Sequence, residues 1–182
     1  MTGKHWPVPG SCTRTLPSTG TAGSFWENRG DRWHCGVDIY APHGSDVCVV
    51  EDGRVLDTGV MTSPDVLPYW NKTYYVLVGH GALVAKYAEL HDMCVTAGDR
   101  VAGGEVIGHV GTVLNRDAIT AGAPTYIRRL ADHDKLSMLH FELYREPPSD
   151  SQAYLGGNWF GDRRPATLID PSEYLEKTSR GI

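Results

Sequence analysis

Hydrophobic positions in this chain recur mostly at every second residue. In Met138-Leu139-His140-Phe141-Glu142-Leu143-Tyr144, Leu139, Phe141 and Leu143 share one strand face, and Met138, His140 and Glu142 share the other. Val47-Cys48-Val49-Val50 is a short apolar run, and Arg54 to Val60 resumes extended structure. Glu51-Asp52-Gly53 lies between them and reads as a hairpin turn. Tyr74 to Val78 and Leu83 to Leu90 follow as two strands joined at His80-Gly81, after a loop from Met61 to Lys72. Val95 to Val101 and Gly104 to Gly108 are shorter strands punctuated by glycine. Many short strands with frequent turns predict an all-β sandwich or barrel.

Three stretches depart from this rhythm. Residues 1–31, rich in Gly, Pro, Ser and Thr, read as an irregular lead-in. Phe25 and Trp26, with Trp33, either wall a groove or cap the core. Tyr126 to His133 can form a short helix with Ile127 and Leu130 on one side, limited by Pro124-Thr125. After a long loop from Arg145 to Pro165, Asp170-Pro171-Ser172-Glu173 has the cap carboxylate, first-turn proline and following glutamate of a helix start, placing a short C-terminal helix near 171–178.

At 182 residues the chain suits one domain, with 32–182 as its body. A net charge of −5 argues against a nucleic-acid partner. No run of about 18 apolar residues is present to form a transmembrane segment. The first ten residues lack the apolar core of a signal peptide, which by itself suggests a cytoplasmic protein. Cys12, Cys35, Cys48 and Cys94 show no CxxC spacing. Cys48 and Cys94 sit in apolar runs and are expected in the core; Cys35 is expected to point away from the face that carries His34.

The candidate chemistry gathers around Arg32-Trp33-His34-Cys35-Gly36-Val37-Asp38-Ile39-Tyr40-Ala41-Pro42. A neutral imidazole and a carboxylate four positions apart suit a divalent metal, above all zinc. His140, on its alternating strand, is the best third donor. His43, His109 and His133 read as surface residues, and His80 as structural.

His34-x-Gly36-x-Asp38-Ile39-x-Ala41-Pro42-x-Gly44, Asp52-Gly53-x-Val55, Tyr87-Ala88-x-Leu90, Val101-x-x-Gly104-x-x-Ile107-Gly108-x-x-Gly111 and Leu139-His140-Phe141-Glu142 occur in that order. The series resembles the lysostaphin-type (LytM-like) zinc metallopeptidases over about residues 32–144. The resemblance implies a compact β-barrel-like sandwich with Zn²⁺ held by His34, Asp38 and His140. It implies a peptide or peptidoglycan substrate, and a cell-envelope or extracellular setting. It also implies that residues 115–137 are an insertion near the metal, either a groove wall or a surface excursion.

Two positions break the family pattern. The family's catalytic histidines map to Glu89 and Met138. Methionine can neither move a proton nor donate a hydrogen bond to an oxyanion. One reading is a hydrolase in which Glu89 serves as general base, with His91 as a weaker candidate. The other is an inactive zinc-binding relative whose groove holds peptidoglycan, a peptide or a protein partner. A purely structural zinc fits poorly, because such sites usually have four protein ligands.

Overall fold

The computed structural model describes residues 3–11, 13–148 and 151–178; Cys12 lies outside them. The fold is mostly β, as the alternation predicts. Its strands are β1 (Trp33–His34), β2 (Val37–Tyr40), β3 (Asp46–Cys48), β4 (Gly53–Thr62), β5 (Thr73–His80), β6 (Leu83–Met93), β7 (Arg100–Val101), β8 (Val106–Thr112), β9 (Ser137–Tyr144), β10 (Tyr154–Leu155), β11 (Asn158–Trp159) and β12 (Leu168–Ile169). Two helices, α1 (Thr125–Asp132) and α2 (Ser172–Glu176), fall where the sequence places them. Asp170 Oδ1 accepts from the Ser172 N–H at 2.9 Å where the chain enters α2. Among the described residues no helix is long and apolar enough to cross a membrane.

The large sheet turns on β6. On one side β6 pairs along its length with β5, closed by a turn in which Gly81 has φ +67°. On the other side it has two partners in succession. Val84 to Ala88 pair with Tyr144 to His140 of β9, and Leu90 to Met93 pair with Val110 to Gly108 of β8. Glu89 sits at this fork with φ +63°, a conformation that L-residues rarely adopt. The regular alternation slips there: Tyr87 and Leu90 both enter the core, although three residues apart. Gly111 lets β8 close on the fork, since a Cβ there would lie 2.7 Å from the Glu89 carbonyl oxygen.

The expected hairpin around Glu51-Asp52-Gly53 is absent. β3 pairs with β8, whereas β4 pairs with β5 and β7. The turn is real, but the chain crosses to another part of the sheet because β8 offers β3 its partner. The lead-in is irregular as expected, yet Trp6 and Val8 are buried in the core. Phe25 is also a core residue, and Trp26 stacks on Trp33 with ring centroids 5.4 Å apart. A second, smaller apolar cluster joins Trp70, Val113, Leu114 and Met138 to Ile127 and Leu130 of α1. The segment 115–137 therefore packs onto the sheet beside the β9 histidine.

Cys48 is buried, but Cys94 is exposed, contrary to its apolar neighbourhood. β6 ends at Met93, and Cys94 lies just past the strand, open to solvent.

Candidate metal centre

Antiparallel register builds the centre. β2 pairs with β9 so that Asp38 stands opposite His140, and directly opposed side chains are near neighbours. β1 delivers His34 from a small separate sheet in which it pairs with Asn158 of β11. Gly36, midway between His34 and Asp38, lets the chain cross β9: a Cβ there would lie 2.3 Å from the Phe141 carbonyl oxygen and 3.0 Å from His140 Cε1. Gly157, with φ +76°, permits an equally close approach, since its Cβ would lie 2.7 Å from His140 Nε2.

Three donor atoms converge. His34 Nε2 is 3.0 Å from His140 Nδ1. Asp38 Oδ1 is 2.9 Å from His140 Nδ1 and 3.2 Å from His34 Nε2. Tetrahedral ligands about 2.0–2.1 Å from one zinc ion would lie about 3.3 Å apart, so little movement would be needed. All three side chains are buried.

The outer nitrogens fix what the inner ones can do. His34 Nδ1 donates to the Ser24 carbonyl at 2.8 Å, and His140 Nε2 donates to Glu142 Oε1 at 2.8 Å. Both acceptors lack protons, so in the neutral rings the inner nitrogens carry lone pairs. Two bare nitrogens and a carboxylate oxygen facing one another at about 3 Å call for a cation. This donor set fits zinc, and the outer hydrogen bonds are of the kind that orient metal-bound histidines.

In the metal-free protein a proton on His140 takes the place of that cation. Burial would lower His140, but its hydrogen bonds to Asp38 and Glu142 reverse this and raise it to about 9. Burial, with Arg29 nearby, lowers His34. Burial would raise Asp38, but the two histidines hold it well below the usual carboxylate range. Burial likewise opposes the ionised form of Glu142; Lys86, His140 and Tyr144 overcome it and hold the group down at about 2.

A second layer supports these donors. Glu142 accepts from Tyr144 Oη at 2.5 Å and Tyr154 Oη at 2.8 Å, and Lys86 Nζ donates to Tyr154 Oη at 2.9 Å. Arg29, from the lead-in, is buried beside Asp38 with Nη2 3.5 Å from Oδ2, and it bonds Glu27 and Asn158. Ser24 and Arg29 lie in the irregular lead-in, and Tyr154 in a two-residue strand too short to show a periodicity. Glu142 had a sequence signal: it is two residues from His140 on the same face.

Glu89 lines the same small cavity as the three donors. Thr73 Oγ1 donates to Glu89 Oε2 at 2.5 Å and Thr62 Oγ1 does so at 3.2 Å. Burial nevertheless pushes this carboxyl up to about 7. His91 is exposed, its ring edge-on to His43 with centroids 4.6 Å apart, and it is not among the residues that line the cavity. Met138 lines the cavity together with Trp70, Tyr126, Ile127 and Leu130. Segment 115–137 thus roofs the centre. About 40 Å³ remains inside, enough for an ion with a water molecule and far too little for a peptide.

No curated protein sequence matches the chain. Among solved structures, cbpa from L. salivarius REN superposes with a TM-score of 0.60 at 17% identity, covering 98% of this chain and 99% of that one. The catalytic domain of the antimicrobial peptidase lysostaphin from Staphylococcus simulans gives a TM-score of 0.52 at 18% identity, covering 89% and 92%. The prophage-encoded M23 protein EnpA from Enterococcus faecalis, in a mutant catalytic domain, gives 0.51 at 18%, covering 94% and 96%. At such identities the likeness carries the fold. Peptidase family M23 itself matches residues 32–151, a span that holds β1, β2, the Glu89 fork and β9, and the chain belongs to that family.

Proposed function

We propose that the chain is a zinc-dependent hydrolase of peptide bonds in peptidoglycan or related peptides, with Glu89 as general base. The convergence of His34 Nε2, Asp38 Oδ1 and His140 Nδ1, with their outer atoms already committed, is the observation that carries the reading. Membership of a zinc-dependent peptidase family supports it. Zinc bound by these three residues would polarise the scissile carbonyl and make water more acidic. Glu89 then takes the proton of the attacking water and passes it to the leaving amine. A carboxyl held near 7 is suited to both steps at neutral pH. Arg29 and Glu142 hold Asp38 and His140 in place. Peptidoglycan as substrate would put the working protein at the cell envelope.

The roof sets a condition on this chemistry. Tyr126, Ile127 and Leu130 cover the centre, so a peptide reaches it only when α1 or the loop carrying Gly156 moves. The same roof, and Met138 where the family has a histidine, favour a second reading: a zinc-binding relative that recognises a partner without cutting it.

Zinc-loaded protein incubated with purified peptidoglycan and with glycine-rich peptides separates the two. New amino groups that appear with the wild type and vanish with Glu89→Gln support the hydrolase. Zinc-loaded protein that binds these ligands and releases no amine supports the second reading.

A further inference from the structure

We infer that Asp92, Cys94 and His109 form a second divalent-metal site on the outer surface of the sheet. It is separate from the buried centre, and the inference does not depend on the proposed peptidase activity.

Register places these donors. His109 lies on β8, flanked directly by Asp46 of β3 on one side and Asp92 of β6 on the other. Cys94 lies just past the end of β6, two residues beyond Asp92. One carboxylate oxygen, one thiol sulfur and one ring nitrogen of the three residues lie within 4.8 Å of one another. His109 Nδ1 is 2.7 Å from Asp92 Oδ1, and Nε2 faces Asp46 Oδ1 at 3.6 Å. Asp92 therefore orients the ring through Nδ1, with Asp46 a more distant neighbour of Nε2. Nδ1 and the Asp92 carboxylate face the same point, where one ion could meet both.

Charge points the same way. Among the described residues, Asp46 and Asp92 form ion pairs only with His109, and no lysine or arginine pairs with either. Nitrogen, sulfur and oxygen donors together suit a borderline ion such as zinc rather than calcium or magnesium. Three protein donors leave a position open for water or for a donor from another molecule. His109 and Cys94 have no part in the buried centre.

Cobalt(II) distinguishes the two sites, because only this one offers a thiolate. Titration of the metal-free, reduced full chain with cobalt(II) is expected to produce sulfur-to-metal charge-transfer absorption in the near ultraviolet. The band should persist in His140→Ala and disappear in Cys94→Ser and in His109→Ala. No charge-transfer band in the wild type, or a band of full strength in Cys94→Ser, overturns the site.

Discussion

Replacing Glu89 by Gln tests the electrostatics of the fork and the proposed base together. The carboxyl rises to about 7 in the fold because burial opposes its ionisation more than Thr73 and Thr62 favour it. Its ordinary value is 4.5. The folded chain therefore keeps a proton that the unfolded chain has lost, between about pH 4.5 and pH 7. Stability is fully present below that window and falls as pH rises through it. The fall is worth about 3 kcal/mol, at about 1.4 kcal/mol per tenfold change in the equilibrium. Glutamine keeps the shape and has no proton to lose. Its own fixed cost, an amide at a buried site, is of order 1–3 kcal/mol and does not vary with pH. Urea unfolding of metal-free wild type and Glu89→Gln at pH 5 and at pH 8 reads the difference. The variant should gain about 2.5 kcal/mol relative to wild type between the two pH values, since pH 5 already lies just inside the window. Equal differences at both would refute the raised carboxyl. If the zinc-loaded protein is the proposed hydrolase, the same substitution should lower turnover by about 10²–10⁴-fold with zinc still bound. Wild-type turnover in the variant would remove Glu89 as the base.

Other expectations follow from single contacts. Glu142→Gln leaves His140 without its carboxylate partner and should weaken zinc binding by about 10–100-fold, as measured by competition with a chelator. Ile127→Asp places a charge in the apolar cluster under α1, so the roof should lift and a chelator should strip zinc about tenfold faster or more. An unchanged stripping rate would show that the roof does not control access. Glu89→His combined with Met138→His restores the family's proton-transfer groups and should raise peptide cleavage by about 10²–10³-fold, the usual worth of one well-placed donor to an oxyanion. No gain would mean that the groove, not the missing histidines, limits activity.

Much of the architecture was legible because β periodicity is strict. The β5–β6 hairpin, the helix after Pro124 and the C-terminal helix follow from local pattern and turn chemistry alone. The three candidate donors were picked out by residue type, strand alternation and the family resemblance, and the register of β2 against β9 places Asp38 beside His140. Strand pairing beyond neighbours was not legible. Glu51-Asp52-Gly53 looked like a hairpin because a turn says where the chain bends and not which strand it meets. Cys94 looked buried because its neighbours are apolar, but strand β6 ends one residue earlier, and it is Val95 that turns into the core while Cys94 faces solvent. The positive φ at Glu89 left no mark, since no glycine announces it. The roof over the centre depends on α1 meeting Met138, a contact between segments that only the folded chain reveals.

Zinc binding by the buried donors is the central claim, and one titration tests it most directly. Metal-free Cys94→Ser protein, in which the surface site has lost its sulfur, is titrated with zinc alongside the same protein carrying Asp38→Ala. The account predicts one tightly held zinc per chain in the first and loss of that binding in the second. Equal tight binding in both proteins would contradict it.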